Sequence, residues 1–440
     1  MARRFLLETF GCQMNVHDSE TIAGVLVSAG LQPTDRLDEA DVLLVNTCSV
    51  REKPHHKVFS RLGEWRQLQL RRPGLIIGVC GCMAQAIPEE IQRRAPYVGF
   101  LVGPRGYRRL PELLAQAERA DHPLICGDLE EEIPEGLPMR RVPGVCAWVT
   151  AMYGCNHFCS YCIVPYARGP ERSRRPEDIL AEVERLVGEG YREVTLLGQN
   201  VNTYGADLAE GDDFAGLLTR GGQVPGLDRL RFATSHPKDC SDRLIEAFGS
   251  VPAVCEHFHL PVQSGDDEVL ERMGRGYTAE QYLTLVERLR QARPGTAITT
   301  DVMVGFPGET EAQFQHTLDL FEAVRFDQAF MFKFSPRPGT RAADLPQQLD
   351  DETKQDRLAR LVARQNEIGR EQAKQFEEQV PEVLVESRDA SEKDRPAHLR
   401  GRTRTNRLML FEGPQDLIGQ LVPARITEGF VWGFKGALPR

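Results

Sequence analysis

Three successive patterns in the chain predict an α/β protein built in three parts. Residues 1–130 alternate apolar β-type runs with helical runs, which reads as an open α/β sheet with parallel strands. Residues 142–375 carry six strand–helix units, the pattern of a partial (β/α)6 parallel barrel. Residues 376–440 hold several short β-like pieces, which suggest a small β-barrel.

A chain of 440 residues that is 41% hydrophobic can bury two or three cores. No stretch approaches 18 uninterrupted apolar residues, so no membrane span is expected. The start, MARRFLLETFGC, has too short an apolar run for a signal peptide. The 11 cysteines sit mostly in close sets, which fits a cytoplasmic, reduced protein using thiolates as metal ligands. A net charge of −10 excludes a generic polyanion binder, so any nucleic-acid contact must come from local basic patches.

In the first part, strands are expected at 5–10, 41–47 and 75–80, with helices near 17–29, 52–70 and 84–95. The strands run into Gly11-Cys12, Thr47-Cys48 and Gly81-Cys82. Carboxyl ends of parallel strands form one crevice, so Cys12, Cys48 and Cys82 should converge there as a three-thiolate site. Three ordinary buried cysteines are the plainer reading, but the same position in three successive units disfavours it. Cys80 points the other way along an extended chain. A charged, Pro/Gly-rich run at 130–144 reads as a linker.

The second part opens with a strand at 147–152 and the loop YGCNHFCSYC (153–162). Cys155, Cys159 and Cys162 place three thiolates in eight residues, enough for a compact iron–sulfur cluster with one iron left open. Zinc is the alternative, with His157 as fourth ligand, but a ligand inside so short a loop strains the geometry. Tyr161 can shield a cluster or stack on an adenine. Further strands are expected at 193–198, 229–234, 256–260, 297–304 and 328–334, with helices at 177–189, 239–248, 278–292 and 310–324 and shorter ones near 213–219 and 266–272. Their ends bring Gln199 and Asn200, Ser235 and His236, Gln263, and Gly305 to one face. Each alone is ordinary turn chemistry. His236, His257 and His259 are expected to be packed or hydrogen-bonded. Arg168, Arg172, Arg174 and Arg175 follow the loop and can hold a carboxylate or a phosphate, or form an exposed loop with Glu171 as countercharge.

The tail lacks acidic residues between Asp394 and Glu412 but has Arg395, Arg400, Arg402, Arg404 and Arg407. Phe430, Trp432 and Phe434 follow. Arginines with nearby aromatics suit single-stranded RNA, although a solvated loop over a small aromatic core is common.

The loop at 155–162 resembles the signature of radical S-adenosylmethionine (SAM) enzymes, in which the open iron chelates SAM and its reductive cleavage yields a 5′-deoxyadenosyl radical. ETFGCQMNVHDSE (8–20), NTCSVRE (46–52) and GCMAQ (81–85) resemble the N-terminal domain of methylthiotransferases, with QMN and SVRE similar to the tRNA branch. LLGQNVNTYG, LPVQSG, ERMGRGYT, TTDVMVGFPGET and SPRPGT resemble that family's barrel, except that Phe334 stands where relatives often carry Tyr. GRTRTNR and the strands after it resemble the RNA-binding TRAM domain.

The resemblance implies two 4Fe-4S clusters, an auxiliary one on Cys12, Cys48 and Cys82 and a SAM-binding one on Cys155, Cys159 and Cys162. It implies Gln199 and Gln263 facing SAM, with Tyr161, Asn200 and Gly305 completing the cofactor-binding set, and Arg400, Arg402, Arg404 and Arg407 on RNA. The implied reaction is methylthiolation, at C2, of an N6-isopentenylated adenosine at position 37 of a tRNA anticodon stem-loop, using two SAM. A monomer is expected, served by an electron donor such as a flavodoxin or ferredoxin and by an unidentified sulfur donor. Methylthiolation of a ribosomal protein, or a non-catalytic iron–sulfur RNA-binding sensor, are the rival readings. The arginine-rich tail disfavours the first and the SAM-facing barrel residues disfavour the second.

Overall fold

The computed structural model describes residues 2–49, 52–119, 123–127, 129, 135–208, 211–388 and 398–439. Val50, Arg51, Arg395 and 130–134 of the expected linker lie outside the described residues. The chain forms two compact units. One comprises residues 1–143, 152–158 and 162–174; the other comprises 144–151, 159–161 and 175–440.

The first unit begins with β1 (Arg4–Phe10), α1 (Gln13–Ser28), β2 (Gln32–Pro33), β3 (Val42–Thr47), α2 (Glu52–Arg71) and β4 (Ile76–Cys80). It continues with α3 (Cys82–Ala86), α4 (Pro88–Arg94), β5 (Phe100–Val102), α5 (Leu110–Ala117) and β6 (Leu124–Cys126). The sheet is wholly parallel, in the order β2-β1-β3-β4-β5-β6. Side chains alternate between its faces. Leu43, Val45, Ile77 and Val79 pack on one side with Trp65 of α2, while Val42, Leu44, Ile76 and Cys80 pack on the other with Ile22 and Leu26 of α1. The order reverses between β1 and β3, and that switch point opens a crevice at the carboxyl ends. β2, β5 and β6 are too short to announce themselves by periodicity. The helix expected over 84–95 is two helices, because Pro88 forces Ile87 out of the α region to φ −139° and ψ 47°. Past the undescribed residues, the expected linker packs on α1, where the Arg140 amide donates to the Glu20 carbonyl at 2.9 Å.

Next along the chain come β7 (Cys146–Thr150), β8 (Met152–Tyr153), α6 (Val164–Arg168), β9 (Arg172–Ser173) and α7 (Pro176–Gly188). β8, α6 and β9 belong to the first unit, where β8 and β9 form an antiparallel clasp. In the second unit follow β10 (Glu193–Leu197), α8 (Phe214–Gly221), β11 (Arg229–Phe232), α9 (Asp242–Ser250) and β12 (His257–His259). Then come α10 (Asp267–Met273), α11 (Ala279–Ala292), β13 (Ala297–Val304), α12 (Glu311–Val324), β14 (Gln328–Lys333) and α13 (Asp351–Gln375). β7, β10 and β11 pair in parallel, as do β12, β13 and β14, and a parallel bridge from Leu230 to Val254 joins the two sets into the expected six-stranded partial barrel. Thr278 and Thr310 start α11 and α12 with capping boxes through Gln281 and Gln313.

The tail forms β15 (Glu382–Arg388), β16 (His398–Thr403), β17 (Leu408–Glu412), β18 (Leu421–Pro423), β19 (Arg425–Phe430) and β20 (Gly433–Ala437). They make a sheet of order β18-β15-β16-β17-β20-β19, curled by bulges at Val385/Ser387 and Ile426/Glu428. It lies in the same compact unit as the barrel, locked there by arginines. Arg229 donates to the carbonyl of Arg402 at 2.7 Å, and Arg231 to those of Thr403 and Arg404, both at 2.8 Å.

Candidate metal centres

In the first unit, strand register sets the three cysteines at one level. Phe10 pairs with Thr47, and Asn46 with Cys80, so Cys12, Cys48 and Cys82 leave neighbouring strand ends together. Gly81 makes the last approach possible. Its φ is +91°, and a Cβ there would lie 2.3 Å from Asn46 Oδ1. Cys80 is in the apolar core instead, where burial pushes its thiol up.

The Cys12 thiol is lowered to about 6. Its hydrogen bond with Cys48 is the main cause, aided by the Arg168 charge and the Asn15 and Met14 amides, against burial. Thiolate is the form that binds iron, so this environment fits a metal ligand. Two asparagines brace the site. The Cys12 amide donates to Asn15 Oδ1 at 3.2 Å, and Asn46 Nδ2 donates to the Asn15 carbonyl at 2.8 Å. In the sequence Asn15 stands only as part of QMN, which does not by itself reveal this clamp. A polar residue beside a strand-end cysteine was the available signal.

Arg168 is the other residue whose place the sequence left open. It stands in neither a SAM-carboxylate position nor an exposed loop, but in this site. Its Nε donates to Cys82 Sγ at 3.2 Å and its Nη2 to Asp18 at 2.6 Å. The rest of that run is dispersed. Arg174 pairs with Glu135 at 2.9 Å, Arg175 with Asp178 at 2.7 Å, and Arg172 is exposed.

The cysteine loop is pinned within each unit. In the first, the Cys155 amide donates to the Gly169 carbonyl at 3.2 Å, and Gly154 lies so close that a Cβ would meet the Pro170 carbonyl oxygen at 2.1 Å. Glu171 is no exposed countercharge: it is buried and accepts from the Asn156 amide at 3.1 Å. In the second unit, the Ser160 amide donates to the Met273 carbonyl at 2.9 Å, and Tyr161 packs with Met273, Phe306 and Phe334. Arg275 is buried beside Cys159, with Nη1 3.5 Å from its sulfur and Nη2 3.0 Å from the Pro261 carbonyl.

Several polar atoms at the barrel's strand ends are buried without a partner among the described residues: Gln199 Oε1 and Nε2, Asn202 Oδ1 and Ser235 Oγ. Such orphans are costly unless a polar ligand completes them, which fits the amino-acid and ribose groups of SAM. Gln263 stands in the left-handed region at φ 72°, as does Thr234 at 72°, strain of the kind kept at ligand sites. Asn200, expected beside Gln199 at the cofactor, is spent on the scaffold: it donates to Asp239 at 2.7 Å and accepts from the His236 amide at 3.1 Å. The Gly305 amide donates to Glu309 at 2.7 Å, a carboxylate also held by Arg357. His257 and His259 both share the Thr299 hydroxyl at 3.0 Å, the hydrogen-bonded role expected of them.

The four tail arginines diverge. Arg400 is exposed on β16. Arg402 bonds the Asn406 carbonyl at 3.0 Å, Arg404 is held by Glu256, and Arg407 is buried against Asp327 at 2.5 Å, over the rings of Phe376 and Phe434. The structure thus engages Arg404 and Arg407 in the scaffold.

Comparison with known proteins agrees with this architecture. Residues 149–321 match the Radical SAM superfamily, and residues 4–103 match the Uncharacterized protein family UPF0004. The fold is similar to that of a radical S-adenosylmethionine methyltransferase, TsrM, from Kitasatospora setae, at 17% identity and a TM-score of 0.55 over 78% of this chain and 77% of that one. The tRNA-2-methylthio-N(6)-dimethylallyladenosine synthase of Carboxydothermus hydrogenoformans is 48% identical over 439 residues, 99% of each chain. That of Moorella thermoacetica is 49% identical over 439 residues, 99% of this chain and 98% of the relative. With two cysteine triads on this fold and likeness of that extent from end to end, the chain belongs to the tRNA-2-methylthio-N(6)-dimethylallyladenosine synthase family of radical SAM enzymes.

Proposed function

We propose that the protein methylthiolates tRNA, replacing the C2 hydrogen of an N6-isopentenylated adenosine at position 37 with a methylthio group at the expense of two SAM. The observation that carries this reading is the pair of cysteine triads, each with a buried arginine on one sulfur, in a chain with full-length relatives of that name. When bound, two 4Fe-4S clusters and SAM supply the electron-transfer, radical and methyl-transfer chemistry.

The chain's own residues hold and orient these groups. Cys155, Cys159 and Cys162 are the ligands of the SAM-binding cluster, and Cys12, Cys48 and Cys82 of the auxiliary one. Gln199 and Gln263, with Tyr161 and Gly305, would border SAM when it is bound, and the Gln199 amide, unpartnered among the described residues, would donate to and accept from its polar groups. Arg275 fixes Cys159 and ties it to the Pro261 carbonyl, two residues before Gln263. Exposed Arg400 meets the RNA backbone, with the half-exposed Trp432, stacked on Phe430 at 5.5 Å, available to a base. The protein acts as a cytoplasmic monomer, with a flavodoxin or ferredoxin as electron donor and a separate sulfur donor.

The test is mass spectrometry of tRNA nucleosides from cells lacking the protein. The 2-methylthio nucleoside should disappear and N6-isopentenyladenosine accumulate. An unchanged nucleoside profile overturns the reading.

A further inference from the structure

Arg168 is an unusual residue to bury. It ends α6, six positions after Cys162, and is only 4% exposed. A buried guanidinium is costly unless its donors are met. Two of its nitrogens are: Nε by Cys82 at 3.2 Å and Nη2 by Asp18 at 2.6 Å. The third, Nη1, is buried with no partner among the described residues. Its counterpart Arg275 engages all three nitrogens, on Tyr277, Cys159 and Pro261.

We propose that Arg168 is the charge partner and positioning residue of the N-terminal three-cysteine site, holding the Cys82 sulfur through Nε and setting the site's reduction potential. The inference rests on the reading that Cys12, Cys48 and Cys82 hold a 4Fe-4S cluster. Three thiolates around such a core carry a net negative charge that grows by one on reduction. A fixed cation hydrogen-bonded to a ligand sulfur favours the reduced form, and so raises the potential. Asp18 moderates this by neutralising part of the guanidinium charge. A guanidinium keeps its proton in proteins, and the ion pair with Asp18 at 2.6 Å compensates its burial, so Arg168 is a cation here. No other role described for the molecule explains a cation with a free donor here.

The test uses the full chain with Cys155, Cys159 and Cys162 changed to Ala, reconstituted anaerobically so that only the N-terminal site holds iron. Midpoint potentials are read by EPR-monitored titration. Arg168→Gln should lower the potential by about 59 mV or more, a tenfold change in the one-electron equilibrium. Arg168→Lys should recover most of the potential by keeping the charge. Asp18→Asn should move it the opposite way, upward. Where Arg168→Gln does not retain iron, the Asp18→Asn shift decides. An iron-loaded Arg168→Gln protein with unchanged potential, or no shift in Asp18→Asn, overturns the role of Arg168. Absence of iron from the parent triple variant overturns instead the reading of the cysteines.

Discussion

Arg404 reaches Glu256 across the barrel–tail junction of one compact unit, donating from Nε at 2.7 Å and from Nη2 at 3.1 Å. The same Nη2 also bonds the carbonyls of Pro252 and Val254, each at 2.8 Å. An arginine from a run that suggests RNA binding is thereby a cross-brace of the fold.

Glu256→Gln should therefore destabilise the protein by about 1.5–3 kcal/mol, the usual worth of hydrogen bonds to a charged group. Burial pushes the Glu256 carboxyl up, but the Arg404 bond and charge, with Arg293, outweigh it and hold it below its ordinary 4.5. A carboxylate lowered on folding stabilises above the unfolded value and loses that contribution as pH falls through the lower folded one. The Tm gap between wild type and Glu256→Gln should be full at pH 7 and shrink below about pH 4.5. A gap that persists at acid pH contradicts this account.

Arg400 and Arg407 should separate binding from stability. Arg400→Gln is expected to flatten the salt dependence of tRNA binding by about one unit of slope, with Tm unchanged. Arg407→Gln leaves the buried Asp327 without its cation and should cost about 3–5 kcal/mol. Filter binding at several salt concentrations, with thermal denaturation, reads both. Equal slopes for Arg400→Gln and wild type remove Arg400 from the RNA surface.

The cysteine triads were legible because their logic is local. Cys155, Cys159 and Cys162 are close in sequence, and the strand ends that carry Cys12, Cys48 and Cys82 follow from apolar runs. The destinations of long side chains were not. Arg168 lies in a run of four arginines, and only the turn of α6 sends it to Cys82, 86 residues away. Asp327 and Glu256, which claim Arg407 and Arg404, are 80 and 148 residues distant and carry no pairing signal. The break at Ile87 was visible in Pro88, yet the apolar spacing on both sides suggested one continuous helix.

Gln199 offers a test in which affinity and stability move in opposite directions. Both of its amide atoms are buried and unpartnered among the described residues. Gln199→Leu keeps the volume while removing the orphaned groups, so the Tm of the SAM-free protein should hold or rise. Its affinity for SAM should fall about fivefold to tenfold, the worth of about 1 to 1.4 kcal/mol. Equilibrium dialysis and calorimetry on the reconstituted protein measure both. Unchanged SAM affinity takes Gln199 out of the cofactor site.

Single cysteine changes should divide the labour between the two triads. Cys159 is held by Arg275, which also grips the Pro261 carbonyl two residues before the strained Gln263, so Cys159 is tied to the barrel's strand ends. Cys48 instead hydrogen-bonds Cys12 beyond the strand ends of the parallel sheet in the first unit. Each triple change to Ala should lower bound iron from about eight to about four per chain. With SAM, reductant and isopentenylated RNA, Cys48→Ala should still release 5′-deoxyadenosine but make no methylthio nucleoside. Cys159→Ala should make neither. Both products are quantified from one reaction by mass spectrometry, so a poorly active preparation is recognised by the loss of both in Cys48→Ala together with low iron. Methylthio product from Cys48→Ala removes the N-terminal site from sulfur insertion. Continued 5′-deoxyadenosine release by Cys159→Ala, with the iron content halved, assigns SAM cleavage to Cys12, Cys48 and Cys82 and reverses the two sites.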